Sequence, residues 1–413
     1  MRKALAPLLI LLLSGLLLVE ARAAGEAAYR LSERTYRQLS SVHELMQQQR
    51  YDEALAGLDR MRPRVERKAH EHALLLQTYG HLFANTEQYQ RAVDALAGSL
   101  ALNALPQSAT ERTLYTLAQL QMAVDDYTAA LVSLEQWFQL AEDPTADAHA
   151  LAGAAYAQAR RYPEAVKHLR KAIGLAGKPQ ENWYRQLLAV YYQSEQYRAA
   201  ATLLEQMIRR FPQHKDYWLQ LSSVHRELDD DAQAMAVMEL AYVQGLLTEE
   251  SELVNLASYY LYMGLPHKAG QLLDKAFEEG GVTPGIDNWQ LLIDAWLQAR
   301  ESDRALAASE RALQSIQHAD LYLKRAQLLA DKERWSDVIA AVELAFAGAG
   351  LTSPGKAHLL QGIAHYQLGQ PARAQSSFER AREFADSGDQ ARQWISATRT
   401  PAADHYASAY SSH

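Results

Sequence analysis

The chain has 413 residues, 48% hydrophobic and 22% charged, a composition that excludes a disordered or fibrous chain. Its 49 acidic residues outnumber 41 basic ones, which argues against nucleic acid as a partner. The absence of cysteine removes disulfides, thiolate metal sites, cysteine nucleophiles and haem attachment in one stroke.

The first predicted element is a secretory signal at residues 1–23. Arg2 and Lys3 supply the positive start, Ala4 to Val19 the apolar run, and Ala21-Arg22-Ala23 the small residues that a signal peptidase accepts. The run is shorter than the roughly 20 residues that cross a bilayer, so cleavage is expected rather than retention as an anchor. No second run of spanning length follows, and a bacterial-style signal implies a mature chain in the periplasm of a Gram-negative cell. Residues 24–34, small and polar, read as a short leader.

From residue 35 to 388 one pattern recurs. An aromatic residue precedes an alanine by three positions at Tyr51/Ala54, Tyr89/Ala92, Tyr127/Ala130, Tyr162/Ala165 and Tyr197/Ala200. The alanine series continues at Ala234, Ala269 and Ala305, is replaced by Val338, and returns at Ala374, in steps of 33 to 38 residues. Four residues after most of these comes a large apolar residue, such as Leu58, Leu96, Leu169, Met238 or Phe378, which marks one helical face. A second stripe lies upstream, as in Gly153 with Tyr156, Trp218 with Leu221, and Trp289 with Leu292 and Trp296. Each unit is therefore a helical hairpin whose small residue sits at the closest helix approach, and none buries its apolar face alone. Prolines fall at unit ends or where second helices begin, and the phasing predicts that none interrupts a helix. After the tenth unit, residues 389–400 form a capping helix that covers the last hairpin with Trp394, and 401–413 form a flexible tail.

These positions resemble the tetratricopeptide repeat (TPR), with its spaced tryptophan, leucine, glycine, tyrosine and alanine signature. The resemblance covers about ten units starting near residues 35, 73, 111, 146, 181, 215, 250, 286, 319 and 355. It implies an all-α, right-handed α-solenoid of about ten TPR hairpins with a C-terminal capping helix. Units are individually degenerate: the ninth lacks its alanine, and the first has Val42 where a glycine is usual.

No catalytic constellation emerges. Phosphate-cradling loops, H-E-x-x-H and G-x-S-x-G are all missing, so the expectation is a non-enzyme without catalytic, cofactor or metal residues. His70-Glu71-His72 places its imidazoles about 200° apart on a helix, too far around to share an ion, and reads as a solvated turn. Asp229-Asp230-Asp231 lies between two helices and reads as N-capping. Gly280-Gly281 before Pro284 reads as a loop.

What such repeats offer is a concave wall of first helices. Counting phase from each unit start puts His43, Gln77, His81, Asn85, Tyr115, Gln119, Asn182, Arg185, Tyr192, Arg226, Gln290 and Asp294 on it. The candidate partner-binding residues are Asn182, Arg185, Tyr192 and Arg226, with His43, His81 and Tyr115 nearer the N-terminus.

Leu31-Ser-Glu-Arg-Thr-Tyr36 followed by Leu39, Tyr51-Asp-Glu-Ala-Leu55, the ten-unit length and the closing Ala391-Arg-Gln-Trp-Ile395 together resemble a family of periplasmic TPR proteins. Its members accompany TonB–ExbB–ExbD energy-transduction systems. The resemblance implies an accessory role in uptake of iron chelates, a partner in the periplasmic part of TonB or ExbD, and no catalytic residues. A periplasmic scaffold for envelope biogenesis, or for exopolysaccharide or secretion machinery, is the alternative.

Overall fold

The computed structural model describes residues 29–399. The expected signal at 1–23 and tail at 401–413 lie outside the described residues. Among those described there are twenty-one α-helices and no strand. The first five hairpins pair α1 (Glu33–Gln47) with α2 (Tyr51–Val65), α3 (Ala69–Asn85) with α4 (Tyr89–Ala101), α5 (Gln107–Ala123) with α6 (Tyr127–Leu140), α7 (Ala146–Gln158) with α8 (Tyr162–Leu175), and α9 (Glu181–Gln193) with α10 (Tyr197–Arg210). The next five pair α11 (Lys215–Glu227) with α12 (Asp231–Val243), α13 (Glu250–Tyr262) with α14 (Pro266–Glu278), α15 (Ile286–Gln298) with α16 (Ser302–Ser315), α17 (Ala319–Asp331) with α18 (Trp335–Ala347), and α19 (Pro354–Gln367) with α20 (Pro371–Ala381). A final helix, α21 (Gly388–Arg399), follows. The described residues divide into two compact units between Leu203 and Leu204, inside α10.

Within each unit first helices pack on their own second helices, as α7 on α8 and α17 on α18, and second helices on the next first helix, as α8 on α9 and α18 on α19. First helices also touch one another, α1 with α3 and α7 with α9 in one unit, α13 with α15 and α17 with α19 in the other. Ala54, Ala92, Ala130, Ala165, Ala200, Ala234, Ala269, Ala305, Val338 and Ala374 are all completely buried. Opposite the large residue four positions on, several first helices carry a glycine for the same reason. A Cβ added to Gly153 would lie 2.6 Å from Leu169 Cγ, and one added to Gly362 would lie 2.5 Å from Phe378 Cε1. Neither hairpin has room for it. In the sixth hairpin the large apolar residue Met238 is only half-buried, and Val237 beside it is buried.

A second periodicity was not anticipated. Five residues before each of those ten positions the backbone turns left-handed, with positive φ at Gln49, Glu87, Asp125, Arg160, Glu195, Asp229, Gly264, Arg300, Glu333 and Gly369. The residue that follows donates its N–H back to a carbonyl five positions earlier, as Arg161 does to Tyr156 at 2.8 Å and Glu301 to Trp296 at 2.9 Å. This is a Schellman closure, which satisfies the orphan carbonyls at the end of the first helix. Eight of the ten residues that adopt it are not glycine, at a steric cost of about 1 kcal/mol each.

Three expectations change. Pro63 lies inside α2, two residues before its end, so a proline does sit within a helix. It is tolerated because only Pro63's own N–H is lost there, and the last turn still closes through Glu66 N–H to Arg62 carbonyl at 3.1 Å. Next, α3 and α5 start four residues before the phased unit starts of 73 and 111 and run 17 residues against 13 for α7 and α9. That extra turn accounts for the 38-residue steps. Finally, His70-Glu71-His72 is the first turn of α3, not a solvated turn. The Glu71 carboxylate is buried and accepts from Ser32 N–H (3.1 Å), Thr35 Oγ1 (2.8 Å) and Lys68 Nζ (3.2 Å), tying α1 to α3. Burial alone would raise its pKa, but those hydrogen bonds outweigh it and hold the group below its ordinary value. At the other end, Trp394 of α21 stacks on Phe378 at 5.5 Å and meets Tyr366 edge-on at 5.6 Å, so α21 closes over the last hairpin.

Candidate functional site

In the first unit the wall of first helices begins with two histidines. His43 sits half-buried on α1, its Nδ1 2.8 Å from the Leu39 carbonyl. On α3, His81 exposes only part of its ring. Burial, then the neighbouring His43 and Arg112, push its pKa down to about 4, so it stands neutral at pH 7. Gln77, one turn before His81, donates Nε2 to Thr113 Oγ1 at 2.7 Å and so links α3 to α5. Tyr115 packs its ring 5.2 Å from that of Trp137; burial and then Asp147 push its hydroxyl up to about 12. Gln119, on the same face, keeps a buried Oε1 without a hydrogen-bond partner, and so does Gln186 on α9.

Asn182 and Arg185 are exposed one turn apart on α9, whereas Tyr192 is half-buried and meets Tyr197 edge-on at 6.3 Å. The wall positions thus differ in kind. Asn182 and Arg185 are exposed, while Gln77, Tyr115 and Tyr192 contribute to the structure as well as lining it.

In the second unit Arg226 is exposed on α11 and faces Tyr259 of α13. Tyr259 donates its hydroxyl to Asp231 Oδ1 at 2.9 Å and stacks at 6.2 Å on Tyr262, whose hydroxyl reaches Asp231 Oδ2 at 3.3 Å. Burial first, then Asp231, push the Tyr259 hydroxyl up to about 12. Tyr262 is 72% exposed. Sequence reasoning passed over this tyrosine pair, although its signal was available as two tyrosines three apart at the end of a first helix. Asp230 is the N-cap of α12 and accepts from Gln233 N–H at 3.1 Å, the capping role read for the acidic run. Asp294 is occupied by Lys324 Nζ at 2.5 Å, and Gln290 is half-buried.

Two cavities open elsewhere, each beside a phenylalanine near the end of a second helix. One of about 320 Å³ is lined by Phe138, Tyr156 and His168, with Glu135 at its rim. The other, about 470 Å³, is lined by Phe277, Trp289, Arg311 and Ser315. Among the described residues no group of three or more His, Asp or Glu is placed to hold a metal ion, and no helix is long and apolar enough to cross a membrane.

The tetratricopeptide repeat family model matches residues 188–245. Among solved structures, that of Naa15/Naa10 bound to HypK-THB is similar at 16% identity over 79% of this chain, with a TM-score of 0.44. The chain spans about half, 51%, of that protein's length. YrrB, described as a TPR protein with an unusual peptide-binding site, is similar at 12% identity over 48% of this chain and 100% of its own, with a TM-score of 0.37. The TPR2AB domain of yeast Sti1 in complex with pHSP90 is similar at 18% identity over 61% of this chain and 96% of its own, with a TM-score of 0.29. No curated protein matches the chain.

Proposed function

The chain carries a tetratricopeptide repeat across residues 188–245, and from that premise we propose that it is a non-enzymatic scaffold holding a protein partner on its first-helix walls. One observation carries this reading. On α9, Asn182 and Arg185 stand exposed on the wall, while Trp183, Tyr184, Leu187 and Leu188 of the same helix are buried. A helix that spends one face on packing leaves the other free to be recognised. Arginine is among the side chains enriched where a few residues dominate an interface.

In finer detail, we propose export to the periplasm through residues 1–23 and an accessory role in TonB–ExbB–ExbD-driven uptake. The Leu31–Tyr36 motif and the Trp394 cap, together with the ten-unit length, support that choice of system. The test is a pull-down of the periplasmic parts of TonB and ExbD by the chain, paired with growth of a deletion strain on chelated iron. We expect capture of one of the two, at least fivefold weaker with Asn182→Ala/Arg185→Ala, and growth impaired on chelated but not free iron. Wild-type growth on chelated iron would remove the energy-transduction role. Capture unchanged by the double variant would move the interface off α9.

A further inference from the structure

One slot recurs at the seam between successive hairpins. A phenylalanine eight residues after the buried residue of one hairpin's alanine series (Ala130, Ala269 or Val338) meets a ring sixteen residues before the alanine of the next. In the first unit Phe138 of α6 meets His149 of α7, with ring centroids 5.0 Å apart and planes at 32°. In the second unit Phe346 of α18 meets His358 of α19 at 4.3 Å and 31°. Phe277 of α14 meets Trp289 of α15 in the same slot, stacked at 4.0 Å and 7°.

Both histidines keep a buried ring nitrogen that no group satisfies, Nε2 of His149 and Nδ1 of His358. His149 is 4% exposed, and its other nitrogen, Nδ1, lies 3.0 Å from Nδ1 of His168 on α8. In that bond one nitrogen carries the proton and the other accepts it, so the neutral pair is complete with one hydrogen between the rings. A further proton puts a charge beside a buried nitrogen that has no acceptor to meet it, an arrangement that costs stability.

The surroundings do not rescue the charge. From α8, Lys171 opposes a proton on His149, and Lys167 and Lys171 oppose one on His168. Glu164, also on α8, is the one carboxylate that favours it there, and it is already paired with Arg161 at 2.7 Å. On α6, Glu135 accepts the Tyr156 hydroxyl of α7 at 3.1 Å. Around His358, Arg380 of α20 opposes protonation, against smaller pulls from Glu383 in the turn after α20 and from Gln361 of α19, while Phe346 and Phe384 close the ring in.

We propose that the Phe138–His149 and Phe346–His358 seams are acid-labile joints. Protonating the imidazole in the seam loosens one hairpin from the next, while the Phe277–Trp289 seam in the same slot stays closed. The direction follows from linkage. Burial, then His168 and Lys171, hold His149 down to about 4 against an ordinary 6.5, and His358 is lowered in the same sense. A lowered histidine contributes stability that is full above about 6.5 and is lost as pH falls toward the folded value.

The experiment is hydrogen exchange by mass spectrometry on the full mature chain at pH 7.5 and 5.0, corrected for the intrinsic pH dependence of exchange. We expect peptides from α7 to open on the order of tenfold more often at pH 5.0, with a smaller rise in α19 and none in α15. His149→Phe keeps the stack and is expected to abolish the response at α7 alone; His358→Phe does the same at α19. An equal rise in α15, or an acid response at α7 that survives His149→Phe, overturns the proposal. If His149→Phe fails to fold, His358→Phe in the other unit and the wild-type contrast of α7 and α19 with α15 still decide it. Because His81 also stands near 4, on α3, global melts would mix its contribution in; local exchange does not.

Discussion

Trp289 and His149 occupy the same place in the repeat and solve it differently. Trp289 leaves nothing unsatisfied. Its Nε1–H donates to Ser315 Oγ at 3.1 Å, its face lies flat on Phe277, and Arg311 sits 5.3 Å from the ring while bonded to Asp274 at 2.8 Å. His149 tilts against Phe138, pairs one nitrogen with His168 and leaves the other bare. The slot itself asks only for a flat ring of adequate size. What surrounds the ring decides whether the seam is inert or titratable, and those groups come from the adjoining second helices.

The largest expected effect tests the frame that both rings share. Ala165→Asp and Ala305→Asp place an unpaired charge in the hairpins that carry His149 and Trp289, and each should cost about 3 kcal/mol or more by urea unfolding. Gln290→Asp, on the wall beside Trp289, should stay within about 0.5 kcal/mol. If the wall substitution proved the costlier, the repeat register would be wrong and the two rings would not be equivalent.

A smaller effect separates the rings themselves. Trp289→Ala should cost about 3–5 kcal/mol at pH 7.5 and the same at pH 5.0. His149→Ala should cost about 1–3 kcal/mol at pH 7.5 and distinctly less at pH 5.0, where uptake of a proton by the unfolded wild-type chain has already removed part of what the neutral pair contributes. Parallel pH dependence for the two variants would erase the distinction. The smallest effect lies outside the seam. Arg160→Gly and Arg300→Gly relieve left-handed strain in the same two hairpins, and each should stabilise by about 0.5 kcal/mol at either pH, read from denaturant midpoints. A gain in one hairpin and a loss in the other would mean that their turns are not alike after all.

Much of the architecture was legible because it rests on residue types that have few alternatives. An alanine at the closest helix approach survives in nine of the ten units and a leucine one turn on in six, and all ten positions of the alanine series, Val338 included, are buried. The left-handed turns were invisible for the opposite reason. Glycine, the usual signal, stands at only two of them, Gly264 and Gly369, and the remainder are Gln, Glu, Asp and Arg, which read as ordinary polar loop. Glu71 was misplaced because a carboxylate that ties two helices together looks, in one dimension, like a solvated one. The wall was read by phase alone, and phase says which way a side chain points. It does not say whether Thr113 will take Gln77 or Trp137 will take Tyr115. His149 and His358 escaped notice because each partner ring belongs to the preceding hairpin, and only packing reveals the pairing.

The Schellman closure has a consequence for how such a chain changes its length. Each hairpin is turned by a backbone hydrogen bond, so the turn makes almost no demand on side-chain identity: Gln, Asp, Arg and Gly all serve. The acceptor lies in the same hairpin as the donor, so no turn depends on a neighbour to be closed. A whole hairpin, excised or copied between equivalent points of the repeat, therefore carries its own punctuation with it. Unequal crossing-over can alter the number of hairpins without leaving an open turn behind, and mutation of the turn residues can then proceed almost unseen by selection. Length becomes a freely adjustable trait of the chain, while the seams, which do require matched rings, are where a new copy must be fitted to its neighbours.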